Sequence, residues 1–216
     1  MRIRFDEQLE QLNEEMINMG NMIEASIGNA VKALMKQDEE LAKKTMAGDE
    51  KIDRTERKIE DLCLRLLLQQ QPVARDLRQI SAALKMITDM ERIGDQASDI
   101  AEIIISAGMN ETNEIPEIDK MASAVLKMVH DSVASYVQRD LELAREVIEQ
   151  DDAVDELFET VKKKLMRLIS AGDEDGSTAI DLIMVSKYLE RIGDHATNIA
   201  EWVEFSITGV HKESHI

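Results

Sequence analysis

Cysteine is nearly missing from this chain, and its one thiol, Cys63, sits inside Leu62-Cys63-Leu64. No disulfide framework is possible, and the residue reads as a small buried apolar side chain in a reducing compartment. Aromatics make up only 3% of the residues, and proline occurs only as Pro72 and Pro116. A sheet protein would draw heavily on aromatic and β-branched side chains, and a loop-rich one on proline. Nor is there an apolar run near the roughly 18 residues that a membrane span needs. Met1 to Asp6 lack the apolar core of a signal segment. The expectation is a cytoplasmic protein with no direct membrane insertion. Positive charge is scarce too: 26 basic against 44 acidic side chains leave a net −18. Such a chain is repelled by phosphate backbones and anionic lipid, which argues against nucleic acid and membrane surfaces and favours cations or basic partners.

What remains is Leu, Ile, Ala, Met, Glu and Lys, the composition of long helices. From about Phe5 to Lys36, Leu9, Leu12, Met16, Met19, Ile23, Ile27, Val31 and Leu34 recur every three or four residues, an amphipathic helix with its methionines turned to the core. Asp38 is placed to cap a short helix, Glu39 to Met46, which Gly48 ends. A long helix from about Asp49 to Gln70 stops before Pro72, and another runs from about Val73 to Ala107. Gly108 and the Asn110 to Pro116 stretch lead into a second half on the same plan. It holds a helix from about Ile118 to Gln138, a short Asp140-capped continuation to Glu149, and helices from about Asp151 to Ser170 and Thr178 to Ile207, then an aperiodic tail. The expected fold class is all-α: two tandem three-helix bundles, residues 1–110 and 111–216, related by a pseudo-twofold.

The halves are copies. Glu91-Arg92-Ile93-Gly94-Asp95 returns 99 positions later as Glu190-Arg191-Ile192-Gly193-Asp194, and Ile100-Ala101-Glu102 returns as Ile199-Ala200-Glu201. Upstream, Gln37-Asp38 matches Arg139-Asp140 and Ile52-Asp53 matches Val154-Asp155 at an offset of 102. The change of offset falls in a loop, where Gln71-Pro72-Val73 faces Gly172 to Gly176. A repeat this long is a duplicated subdomain, not a solenoid unit.

Placed on helical wheels, the carboxylates form stripes. Glu91, Asp95 and Asp99 run along one edge of an apolar arc that includes Ile80, Ile87, Met90, Ile93 and Ala97. Asp49, Asp53, Glu56 and Glu60 flank the inward face of Ile52, Ile59, Cys63 and Leu66. Where two such edges meet, bare carboxylates resist burial and raise one another's pKa; a multivalent cation resolves the conflict. Oxygen ligands without His or Cys suit magnesium, manganese, calcium or iron, and bridging carboxylates can assemble more than one ion. An acid followed four residues later by Asp occurs on both helices of both halves, as Asp49/Asp53, Glu91/Asp95, Asp151/Asp155 and Glu190/Asp194. Acid pairs at this spacing are common in a chain so rich in acids. What marks these four is their equivalent placement beside an apolar arc. The competing reading is a solvated face paired with neighbouring cations such as Arg92 and Arg191.

Two details refine the pattern. Gly94 and Gly193 lie inside helices, where glycine costs about 1 kcal/mol relative to alanine, so they serve close packing or leave room beside the ligands. The second edge is poorer, with Asn198 for Asp99, Phe158 for Glu56 and Lys162 for Glu60, and with Glu159 as a candidate replacement. A weaker or smaller second site is expected. His130, His195, His211 and His215 have no repeat equivalents and read as surface residues.

Gln70-Gln71-Pro72-Val73-Ala74-Arg75-Asp76-Leu77-Arg78, with Asp89-Met90-Glu91-Arg92-Ile93-Gly94-Asp95 and its second copy, resembles the PhoU family of phosphate-specific transport system accessory proteins. The resemblance covers nearly the whole chain. It implies two similar three-helix bundles in a cytoplasmic, often dimeric regulator that restrains phosphate uptake and phosphate-starvation signalling. The implied partners are the ATP-binding subunit of a phosphate ABC transporter and a membrane sensor histidine kinase. It also implies multinuclear clusters of iron, zinc, manganese or magnesium on the acid-xxx-Asp motifs, here Asp49/Asp53, Glu91/Asp95, Asp151/Asp155 and Glu190/Asp194. The alternative is a carboxylate-metal-dependent hydrolase or oxidase on a helical bundle. Against it stand the missing Glu-x-x-His pair and the missing phosphate-binding glycine loop, so an adaptor without turnover is expected.

Overall fold

A computed structural model describes residues 2–69, 72–107, 115–172 and 176–210. Six helices follow one another: α1 (Arg2–Lys36), α2 (Glu39–Gln69), α3 (Ala74–Ala107), α4 (Pro116–Gln138), α5 (Leu141–Ala171) and α6 (Gly176–Thr208). No strand occurs among the described residues.

The turns that separate the first two helices of each half are the same device. Gln37 and Arg139, repeat equivalents, close α1 and α4 with left-handed φ values of 53° and 56°. The aspartate that follows caps the next helix: Asp38 Oδ1 accepts from the Leu41 amide at 3.0 Å, and Asp140 Oδ1 from the Leu143 amide at 3.1 Å. Both aspartates therefore start helices as the sequence implies. The helices they start are longer than expected. α2 runs unbroken through Gly48 and α5 through Gln150, so the short helices ending at Met46 and Glu149 do not exist as separate elements. Ala42, Thr45, Ile52, Thr55, Ile59, Leu62 and Leu66 form one buried stripe along α2. The packing of that stripe outweighs the modest helix penalty of a glycine on the exposed side. Pro116 opens α4 in its first turn, where a missing amide hydrogen costs nothing, so the helix begins two residues before Ile118. Gly172, at φ 75°, closes α5 with its amide on the Ile169 carbonyl. The expected connector residues 108–114 and the tail from 211 onward lie outside the described residues.

Within each half all three helices touch one another. Across the halves, α3 packs on α6 and α1 on α4. Each of these contacts joins a helix to its own repeat equivalent, as a pseudo-twofold requires. The buried side chains, from Leu12 and Met16 through Ile93 and Ala97 to Leu189 and Val203, form one continuous core. Gly20 serves the α1–α4 seam: a Cβ there would lie 3.2 Å from Val133 Cγ1. Polar pairs line the α3–α6 seam. Asp89 accepts from Asn198 Nδ2 at 3.1 Å and faces His195 Nδ1 at 2.9 Å. His195 is thus a seam residue, its side chain only 18% exposed, and not the surface residue its isolation in the sequence implies. His130 does lie on the surface, 3.2 Å from Glu24.

The α2–α3 contact is the tightest. A Cβ on Gly94 would meet Ile52 Cδ1 at 2.9 Å, Ile52 Cγ2 at 3.2 Å and Asp49 Oδ1 at 3.3 Å. At Gly193 the corresponding neighbours, Val154 Cγ1 and Asp151 Oδ1, stand at 3.5 and 3.7 Å, ordinary contact distances. Ile52 is buried, and both of its branches, Cδ1 and Cγ2, stand in the way of that Cβ. Gly94→Ala is therefore expected to destabilise by about 1 kcal/mol net, overpacking outweighing the gain in helix propensity, whereas Gly193→Ala stabilises by about 0.5–1 kcal/mol. Thermal melting of both variants checks this; a Gly94→Ala protein that melts above wild type removes close packing as the reason for the glycine.

Candidate functional site

The close approach at Gly94 sets α2 and α3 so that their acidic edges face each other. Asp49, Asp53 and Glu56 on α2, and Glu91, Asp95 and Asp99 on α3, are all half-buried. Asp49 is pushed up to about 6, by loss of solvent first and then by the charges of Asp95, Asp53 and Asp99. Glu91 is raised by burial, then by Asp95, Glu56 and Asp53, with Arg92 opposing. Asp95 is raised by burial and Asp53, again against Arg92. Glu56 feels burial first, then Glu60 and Asp53, with a smaller push from Asp95. Asp99 is raised by burial and by Asp95 and Glu102, while Arg191 and the Tyr188 hydroxyl pull the other way. The influences run from helix to helix, so the six carboxylates form one electrostatic unit.

Few cations compensate it. Arg57 reaches Asp53 at 3.7 Å and is itself largely exposed. Among the described residues, Asp49, Glu56, Glu91, Asp95 and Asp99 make no ion pair. The expected screening by Arg92 is a matter of field and not of contact. Asp49 Oδ1 is shut off from water without a hydrogen-bond donor. It lies 3.3 Å from the place a Gly94 Cβ would take, and Ile52 fills the rest of that gap. Hard oxygens and an orphaned buried acceptor suit a cation. As they stand, no three His, Cys, Asp or Glu among the described residues are grouped to hold an ion. The edges face each other as rows, so an ion would have to draw the side chains inward.

The second half brings Asp151 and Asp155 on α5 near Glu190 and Asp194 on α6, but under different conditions. Asp155 and Asp194 are exposed. Asp151 is raised by burial and then Asp155. Asp194 is pushed up to about 6 by lost solvent, Glu190 and Asp151, against Lys187. Lys187 Nζ sits 2.5 Å from Glu190 and 5.4 Å from the Phe158 ring centre. Lys162 lies over the same ring at 5.6 Å. Phe158 thus carries two ammonium groups where the first half has Glu56. Glu159 does not compensate as the sequence implies: it is exposed and pairs with Lys162. The sequence reading missed Lys187, although its spacing of three residues before Glu190 on one helix was a visible signal.

Fold and site together define an all-helical tandem repeat carrying a carboxylate face in each half, half-buried in the first and more open to solvent in the second. The PhoU domain family matches residues 16–104 and 118–203 of the chain. The chain belongs to the PhoU family. It is 40% identical over 207 residues to the phosphate-specific transport system accessory protein PhoU homolog of Clostridium acetobutylicum, covering 95% of this chain and 94% of that protein. The homolog of the same name from Aquifex aeolicus is 39% identical over 185 residues, covering 85% and 84%. In three dimensions the crystal structure of PhoU from Pseudomonas aeruginosa superposes with a TM-score of 0.89 at 34% identity, covering 95% of this chain and all of that one.

The raised carboxylates fix a sign for pH dependence. Asp49 keeps its proton up to about 6 in the folded chain and only through the ordinary carboxylate range when unfolded. Between those limits the folded state binds more protons, so stability falls as pH rises through them. In chelator, Asp49→Asn is expected to melt above wild type near pH 7, the advantage vanishing near about pH 4. Melting curves across that range test it; a variant that melts lower at neutral pH contradicts uncompensated charge at Asp49.

Proposed function

We propose that this chain is a cytoplasmic regulator of phosphate transport that works without turnover, restraining uptake through the phosphate ABC transporter and damping phosphate-starvation signalling. The observation that carries this reading is the match of both halves to the PhoU family, together with near full-length relatives named as phosphate-specific transport system accessory proteins. The proposed partners are the ATP-binding subunit of that transporter and a membrane sensor histidine kinase, with the chain acting as a homodimer. No helix among the described residues is long and apolar enough to cross a membrane, which agrees with action through partners. The net charge of −18 would steer association with a basic surface.

In this reading Asp49, Asp53, Glu91 and Asp95 hold a cluster of multivalent ions, with Glu56 and Asp99 at its margin. The acids Asp151, Asp155, Glu190 and Asp194 hold a smaller one. The ions, iron, zinc, manganese or magnesium, would supply positive charge that removes carboxylate repulsion and stiffens α2 against α3. The residues themselves position oxygen atoms and keep water from them. The orphaned Asp49 Oδ1, half-buried among carboxylates of both helices, supports the first site. Lys187 and Lys162 support a weaker second one.

Elemental analysis, melting before and after chelation, and capture of the purified transporter ATP-binding subunit test the proposal together. Asp53→Asn and Glu91→Gln are expected to lose most of the metal, to melt unchanged on chelation and to capture less partner. Asp194→Asn should lose a minority of the metal. Metal-free wild type that still captures the subunit would separate the two parts, leaving the regulator and removing the ions. Failure of capture with metal bound would do the reverse.

A further inference from the structure

The Gln-Pro-Val-Ala-Arg-Asp-Leu-Arg motif has no part in the carboxylate faces, yet the fold gives it a partner. Arg139, the left-handed residue that closes α4, reaches across to α3 and donates from Nη1 to Gln79 Oε1 at 2.9 Å. Beside it the buried Tyr136 hydroxyl donates to the Gln79 carbonyl at 3.4 Å. Arg75 stands four residues before Gln79 on the same helix, so the two share a face, and its charge acts on the Arg139 guanidinium. Arg78 completes the group. A Cβ on Gly209, at the end of α6, would lie 3.7 Å from Arg78 Nε, which is shut off from water and has no acceptor.

Three guanidinium groups thus gather at one end of a strongly acidic protein. They cannot relieve their repulsion by losing protons. Among the described residues none of them has a carboxylate within ion-pair distance. Arg139 loses solvent and feels Arg75, with Tyr136 opposing; Arg78 adds to the repulsion, and Asp76 is the nearby counter-charge. Three arginines against one aspartate leave two net positive charges. We propose that Arg75, Arg78 and Arg139 form a binding site for a dianionic phosphoryl group, either free orthophosphate or a phosphate ester on a partner. The planar forks of arginine match the oxygens of such a group two at a time, and two excess charges match a dianion. The site stands at the α3–α4 end of the bundle and does not depend on ions at the acidic edges.

Binding of inorganic phosphate and of a phosphoserine peptide to the whole chain tests it, by calorimetry and melting, with chelator present so that no cation can hold phosphate at the carboxylates. Chloride at equal ionic strength is the reference. Saturable phosphate binding is expected, weakened about tenfold or more by Arg75→Gln and by Arg139→Lys, which keeps the charge and loses the fork. Without phosphate Arg75→Gln should melt at or slightly above wild type, since Arg75 is exposed and its loss relieves repulsion, and Arg139→Lys slightly below it, since the bond to Gln79 is lost. Binding of the peptide but not of orthophosphate would place the phosphoryl group on a partner. Binding of neither, or wild-type affinity in both variants, overturns the proposal.

Discussion

The approach of α3 to α2 at Gly94 is the contact on which the site depends. Helices are stiff rods, so one close point fixes their register over several turns in both directions. With Ile52 seated where a Gly94 side chain would be, Asp49 and Asp53 have to stand opposite Glu91, Asp95 and Asp99. The arrangement costs stability by itself: burial and mutual repulsion raise five of these six carboxylates in the first half, and little in the chain compensates them. The apolar stripe of Ile52, Ile59 and Leu66 against Ile87, Met90 and Ile93 offsets that cost. Packing thus holds in place an arrangement that the local rules of charge disfavour.

The sequence made most of the fold legible because the signals were local. The two aspartate caps, the three-and-four spacing of buried residues and the duplication each depend on neighbours in the chain, and each survives folding. The short helices failed for a related reason. Gly48 reads as a terminator from its identity, while the buried face resumes beyond it, Thr45 and Ile52 standing seven residues, two helical turns, apart. A glycine stops a helix where the backbone must turn left-handed, as at Gly172, and Gly48 has no such conformation.

The site was half legible. Helical wheels put each acidic edge beside an apolar arc, but only packing decides whether two edges face each other. Contacts between distant segments left no trace: Asp89 with His195 and Asn198, or Gln79 with Arg139, join residues that no periodicity links. The seam itself is symmetric in position and asymmetric in chemistry. Asp89 facing Asn198 corresponds under the repeat to Tyr188 beside Asp99.

That asymmetry bears on how a duplicated protein divides its work. Both halves keep the acid-xxx-Asp pairs, yet the second brings lysines close to its acids, because Phe158 gives Lys162 and Lys187 a ring to lie on where the first half has Glu56, while the first half has the exposed Arg57 on Asp53. A lysine tethered to the chain is always present and cannot be withdrawn, so the second face keeps its compensation whatever the surroundings supply. The core is continuous across α3 and α6, so stiffening the first face would be felt by the second half through packed side chains and not through a flexible linker.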